Sequence, residues 1–166
     1  MASSTAQNYE QVSYGGAASQ WRGQHRQIIS DAVATRTLLP KEAGARCCFD
    51  VAAGVVYTLP ALTSINAGMT FEFFTTVSRT SNAHKIITSA TTEFLLGAVI
   101  LLNNAATTGE AFGADGTTIR AVSSNGTTTG GIIGDCYRVI AYSTTQWLVE
   151  GALIQSGTAA TPFATS

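Results

Sequence analysis

Nine short runs rich in Val, Ile, Thr, Phe and Tyr, each bounded by Gly, Asn, Asp, Ser or Pro, occupy the chain between residues 34 and 155, and nothing there holds apolar residues at helical spacing over a useful length. Runs of this length and composition between turn formers read as β-strands. The candidates are 34–39, 45–51, 55–59, 69–77, 84–88, 94–102, 117–122, 135–143 and 147–155. So many short strands without a helix predict an all-β fold, a single β-sandwich or jelly-roll-like barrel of about eight or nine short antiparallel strands.

Alternation assigns faces to these strands, because successive side chains point to opposite sides of a sheet. In MTFEFFTTV, Met69, Phe71, Phe73, Thr75 and Val77 share one face and Phe74 points the other way. In DCYRVIAYS, Tyr137, Val139 and Ala141 oppose Cys136, Arg138, Ile140 and Tyr142, so neither face is cleanly polar. Strands apolar on both sides are expected where a second surface is also covered, for instance by a neighbouring subunit. Composition agrees: only 11% of residues are charged, against a usual value of about 25%, and a weakly charged surface favours assembly.

The 166 residues suit one domain with an appendage. Residues 1–32 read as an N-terminal arm, 33–155 as the β domain and 156–166, rich in Gly, Thr and Ala, as a flexible C-terminal tail. The arm has no sustained apolar period beyond a possible turn or short helix at 24–32. A polar N-terminus is often plain unstructured chain, but Tyr9, Tyr14 and Trp21 are more aromatic surface than a spacer needs, and WRGQHR adds Arg22 and Arg26. Turns are expected at 50–54, 114–116 and 143–146, and exposed loops at 103–116 and 123–134.

Several function classes find little support. The net charge is -1 and no cluster of Lys and Arg could neutralise several phosphates, so no nucleic-acid partner is expected. The N-terminus lacks the basic start and apolar stretch of a secretory signal, and the longest apolar run, 94–102, is far shorter than the roughly 20 residues of a membrane helix. Synthesis in the cytoplasm and no membrane partner are the expectations.

Reactive chemistry is equally sparse. His25 falls in the arm, and His84, in SNAHKII, stands at the start of a strand after a turn, where a surface histidine is the default. The carboxylates of the β domain are spread singly, with Asp115 and Asp135 beside glycines as turn residues. GTTTGGIIGD has the glycines of a phosphate loop but leads into a strand instead of a helix. Cys47, Cys48 and Cys136 lack the spacing of metal or redox motifs. Alternation puts Cys47 with Phe49 on the apolar face and Cys48 with Arg46 and Asp50 on the other, so Cys47 reads as a small core residue and Cys48 as a surface or interface thiol, unless Cys136 meets it across a sheet. No catalytic residue, metal or cofactor is expected.

Three phrases carry a family likeness: Gly54 to Pro60, with GVVYTLP; Gly68 to Phe74, with GMTFEFF; and Gly134-Asp135 through Trp147 to Gly151, closing on WLVEG. Together with TRTLLPKEAGARCCFDVAA before them, they make residues 36–155 resemble the capsid decoration (cement) or head-fibre type of structural protein from tailed bacteriophage virions. The connection 63–67 is longer than that pattern has. The resemblance implies a non-enzymatic β-sandwich, a homotrimer on the outer surface of the capsid, whose partner is the major capsid protein. On that reading Tyr9, Tyr14, Trp21, Arg22 and Arg26 anchor the arm to the shell, while Gly54, Pro60, Gly68, Trp147 and Gly151 are structural. The alternative is a head- or tail-fibre domain that binds host glycans, which needs aromatic loops; 103–116 and 123–134 contain only Phe112. An enzyme of unfamiliar type would rest on His84 and the scattered carboxylates alone.

Overall fold

The computed structural model describes residues 11–14, 18–21, 26–31, 33–64 and 66–166, with the backbone alone for 11–14 and 18–21. Two short strands, β1 (Gln11–Tyr14) and β2 (Ala18–Trp21), pair antiparallel as a separate hairpin. The rest of the described chain forms two sheets. The large one holds β3 (Ile28–Ile29), β5 (Arg46–Phe49), β7 (Thr70–Thr75), β9 (Phe94–Asn103), β10 (Gly109–Asp115), β12 (Cys136–Ala141) and β13 (Gln146–Gln155), in the order β10-β9-β13-β12-β7-β5-β3. The small one holds β4 (Thr35–Thr37), β6 (Val56–Thr58), β8 (His84–Ile87), β11 (Ala121–Ser124) and β14 (Phe163–Ala164), in the order β14-β11-β8-β6-β4. Each of the nine predicted runs overlaps a strand, the run 117–122 only at 121–122, where β11 begins.

The direction of pairing departs from expectation. From β3 to β8 the chain crosses to the other sheet at every step, so β3, β5 and β7 stack in parallel in one sheet while β4, β6 and β8 stack in parallel in the other. This half of the molecule is therefore a short coil whose turns lie on one another, with Ile28, Arg46 and Glu72 in register on one side and Thr35, Val56 and Lys85 on the other. The second half returns to hairpins: β9 with β10, and β12 with β13 across the turn at 143–145, are antiparallel. β12 closes antiparallel on β7, while β13 runs parallel to β9 over ten residues.

The sheets pack face to face because their inner positions are apolar and aromatic. Met69, Phe71, Phe73, Tyr137, Val139, Trp147 and Val149 from the large sheet meet Tyr57, Ile86, Val122 and Phe163 from the small one, all buried. Phe49 and Phe73 approach Tyr57 at 5.4 and 5.6 Å between ring centroids, within the range where edge-on and tilted aromatic pairs are favourable. The Tyr57 hydroxyl donates to the carbonyl of Cys48 at 2.8 Å. Trp147 is among the largest fully buried side chains of the core, 6.3 Å from Phe71.

The punctuation residues act as the sequence implies. Leu59 makes the last ladder bond of its strand, to the carbonyl of Ile87, and the buried Pro60, without an N–H, ends the strand there. Gly54 has a φ of +98°, and a Cβ on it would fall 2.5 Å from the carbonyl oxygen of Asn82. Gly151 is equally confined: a Cβ there would lie 2.5 Å from the Cys136 carbonyl oxygen and from Tyr137. Gly68 donates its amide to Ala141 across the 63–69 connection.

Three boundaries differ from expectation. Ile28–Ile29, within the turn or helix foreseen at 24–32, is a strand of the large sheet. Gly109–Asp115 is a full strand instead of an exposed loop, because β9 offers an unpaired edge along its whole length. The C-terminal segment 156–166 is tied down: Phe163–Ala164 pairs with β11, Phe163 is buried, and the Lys85 ammonium reaches the Ser166 carbonyl at 3.1 Å.

Candidate functional site

The outer face of the large sheet combines a row of charges with exposed aliphatic side chains. Its register builds cross-strand rows, since outward side chains recur at every second residue. The central row runs Arg46 on β5, Glu72 on β7, Arg138 on β12 and Glu150 on β13. Charges thus alternate across four neighbouring strands. Arg46 bonds Glu72 at 3.0 Å, Arg138 pairs with Glu150, and Arg26, arriving just before β3, pairs with Glu72 as well. Four of these five side chains are about half exposed, so each pair contributes at most about 1 kcal/mol to folding.

The flanking rows are apolar. On one side lie Cys48, Phe74, Cys136, Ala152 and Ile100; on the other, Thr70, Ile140, Leu148 and Leu96, ending at Asp115. Further along β9 and β13, Leu102 stands beside Ile154. Ile100 and Leu102 are 49% and 45% exposed, high for large aliphatic residues in mid-strand. Phe74, the residue that breaks the alternation of its strand, lies under the Arg46 guanidinium at 5.6 Å, a cation–π arrangement. Between the charged row and Phe74 the surface dips into an open depression of about 560 Å³.

Of the residues proposed to anchor the arm, Tyr9 and Arg22 lie outside the described residues, and for Tyr14 and Trp21 only their places in the hairpin strands are described. Arg26 is engaged with Glu72 and belongs to the sheet face. Gly54, Pro60 and Gly68 sit at strand ends and turns and Trp147 in the core, away from the charged row, whereas Gly151 follows Glu150 within β13 and lines the depression beside that row.

The titratable and nucleophilic side chains singled out in the sequence are placed otherwise. His84 is buried, contrary to the surface position expected for it. Its Nδ1 accepts the Val55 amide at 3.2 Å, so Nε2 carries the proton and donates to the Val77 carbonyl at 3.0 Å. The ring stacks on Phe49 at 4.8 Å, and burial holds its pKa below the usual histidine value. The signal was available, since His84 precedes Ile86 by two and so shares its inward face.

Asp135 is also buried. Its carboxylate accepts the amides of Gly131 and Ile154, both at 2.6 Å, and burial pushes its pKa up to about 6. It fastens the glycine-rich loop 125–134 to β13. Asp115 does a similar task at the surface, where the Thr118 hydroxyl and the amides of Thr118, Thr117 and Ile119 donate to its carboxylate and lower its pKa.

Cys47 is a core residue, and burial, with Glu42 nearby, pushes its thiol up to about 12. Cys48, read as a surface or interface thiol, does lie on the outer face of the sheet but is itself buried there, while Cys136 is exposed. The two face the same side with β7 and Phe74 between them; two strand spacings of about 4.8 Å each exceed what a disulfide spans. Among the described residues no group of three or more His, Cys, Asp or Glu could hold a metal ion, and no helix is long and apolar enough to cross a membrane.

The chain matches no family model, no curated protein and no solved structure.

Proposed function

We propose that the protein is a capsid decoration (cement) protein of a tailed bacteriophage: a non-enzymatic homotrimer that binds the major capsid protein on the outer surface of the shell and stabilises contacts between its subunits. The observation that carries this reading is the second apolar face of the large sheet. Leu96, Ile100 and Leu102 on β9, with Ile140, Leu148 and Ile154 on β12 and β13, all point away from a core that is already complete. An apolar face in mid-sheet is the mark of a surface covered in an assembly. Among the described residues, His84 and Cys47 are buried in the core and engaged in its packing.

The glycan-binding fibre reading draws less support. Phe112, the aromatic residue it relied on in the loops, is partly buried against the core, and sugar recognition of the expected kind needs exposed aromatic surface.

Gradient-purified virions labelled with antibody against this chain test the proposal. Labelling distributed over the capsid surface is the expected result. Labelling confined to fibres or the tail would favour the glycan-binding alternative, and virions without label would overturn both.

A further inference from the structure

The order of charges in the central row has a symmetry property that a random set of surface charges lacks. Reading across the sheet from β5 to β13, the row is positive, negative, positive, negative: Arg46, Glu72, Arg138, Glu150. Reversing the order exchanges every sign. A second copy laid face to face, related by a two-fold axis that runs parallel to the strands between β7 and β12, therefore sets Arg46 against Glu150, and Glu72 against Arg138, at all four positions. A two-fold axis across the strands would instead oppose each residue to itself, with four like-charge contacts. The row selects one way of pairing and rejects the other.

We infer that this face is an isologous contact between two copies of the chain, or between two oligomers each presenting one such face. Its flanks agree with that arrangement. The same axis sets Phe74 of one copy against Cys136 of the other, and Ile140 against Thr70, so apolar and small side chains border the charged row on both sides. It leaves strand directions aligned, the usual way in which two sheets stack about 10 Å apart. The depression between the charged row and Phe74 gives the opposing long side chains room to interdigitate. Arg26, paired with Glu72, adds a cation to the half of the face that meets the Glu150 half of the second copy. The contact goes beyond capsid binding, since it requires only the protein itself; centred between β7 and β12, it opposes β9 only to the two-residue β3 of the second copy and so leaves Ile100 and Leu102 at its margin, and it is a surface of self-complementary electrostatics in which like charges reject wrong registers.

Analytical ultracentrifugation of the purified chain tests it without reference to any shell. Arg138→Glu with Glu150→Arg keeps the pair within the chain but turns the row into positive, negative, negative, positive, which opposes like charges under the same axis. Arg46→Glu with Glu72→Arg gives the inverse row. Each double variant alone should sediment at half the mass of the wild type, with self-association at least about tenfold weaker. An equimolar mixture of the two should recover the full mass, because their rows complement each other at all four positions. The wild-type assembly should also weaken between 50 and 500 mM salt, on the order of tenfold, as exposed charges are screened. Equal masses for wild type, both variants and the mixture would overturn the inference, as would a wild type that sediments at the half mass at every concentration. Circular dichroism melting of each variant separates loss of contact from loss of fold, and if one variant fails to fold, the salt dependence of the wild type still decides.

Discussion

Asp135 and Ile154 are joined by a 2.6 Å hydrogen bond from the Ile154 amide to carboxylate Oδ1, in a setting where the aspartate is 1% exposed. Its other oxygen takes the Gly131 amide and the more distant Thr75 hydroxyl. One carboxyl group thereby fixes the loop 125–134, the end of β7 and the end of β13. The opposing influences are visible in its pKa, where burial outweighs three hydrogen bonds and raises it from 3.8 to about 6.

A raised folded-state pKa sets the sign of the pH dependence. Below the unfolded value of 3.8 both states hold the proton and the stabilisation is fully present; it is lost as pH rises through about 6. The loss amounts to about 3 kcal/mol by pH 8. Asp135→Asn replaces one acceptor by a donor facing the Gly131 amide and should cost about 1–3 kcal/mol at pH 4. Urea unfolding across pH 4–8 should show the gap between wild type and variant narrowing as pH rises. A constant gap would contradict the assignment.

His84 predicts the opposite slope. Its folded-state pKa lies below 6.5, so the neutral ring stabilises the fold above pH 6.5, and stability falls as pH drops from there toward the folded value. His84→Phe keeps the stack on Phe49 but leaves the Val55 amide and the Val77 carbonyl without their partner. The expected cost is about 2–4 kcal/mol at pH 7, with a weaker pH dependence below 6.5; a variant as stable as wild type at pH 7 would refute the buried, neutral ring.

Glycine substitutions should separate by position. Gly151→Ala and Gly54→Ala place a Cβ 2.5 Å from backbone atoms and each should cost about 3 kcal/mol or more. Gly68→Ala meets nothing within 4 Å and should cost about 1 kcal/mol for its left-handed backbone alone. Thermal melts of the three variants check the ranking.

Thiol labelling should follow burial and pKa. In dilute native protein at pH 8, iodoacetamide should modify Cys136 first, and Cys47, whose thiol is pushed up to about 12, only after unfolding. No Cys48–Cys136 disulfide should form in the folded chain, because the strand of Phe74 lies between them. Mass spectrometry of peptides from native and unfolded samples reads both outcomes.

Much of the fold was legible because alternation survives in the chain. Met69, Phe71, Phe73 and Thr75 against Thr70, Glu72 and Phe74 announces both the strand and its two faces, and the face that holds Phe71 and Phe73 is the buried one. Strand direction was not legible, since a period of two is the same for parallel and antiparallel neighbours, and turn-forming residues at 50–54 suggested a hairpin where the chain instead crosses to the other sheet. GEAFGAD has little intrinsic strand preference and is held by its partner β9, while Ile28–Ile29 and Phe163–Ala164 are too short to carry a period. The charged row was invisible for a different reason: Arg46, Glu72, Arg138 and Glu150 are scattered over 104 positions and become neighbours only through register.

The central claim is that the outer face of the large sheet serves assembly on a shell, and cosedimentation with capsids stripped of this protein tests it most directly. Wild type should bind to a fixed number of copies per shell, and Ile100→Asp with Leu102→Asp, a change confined to the exposed side of β9, should fold normally and bind at least about tenfold more weakly. Absence of saturable binding by the wild type, or equal binding by the double variant, would contradict it.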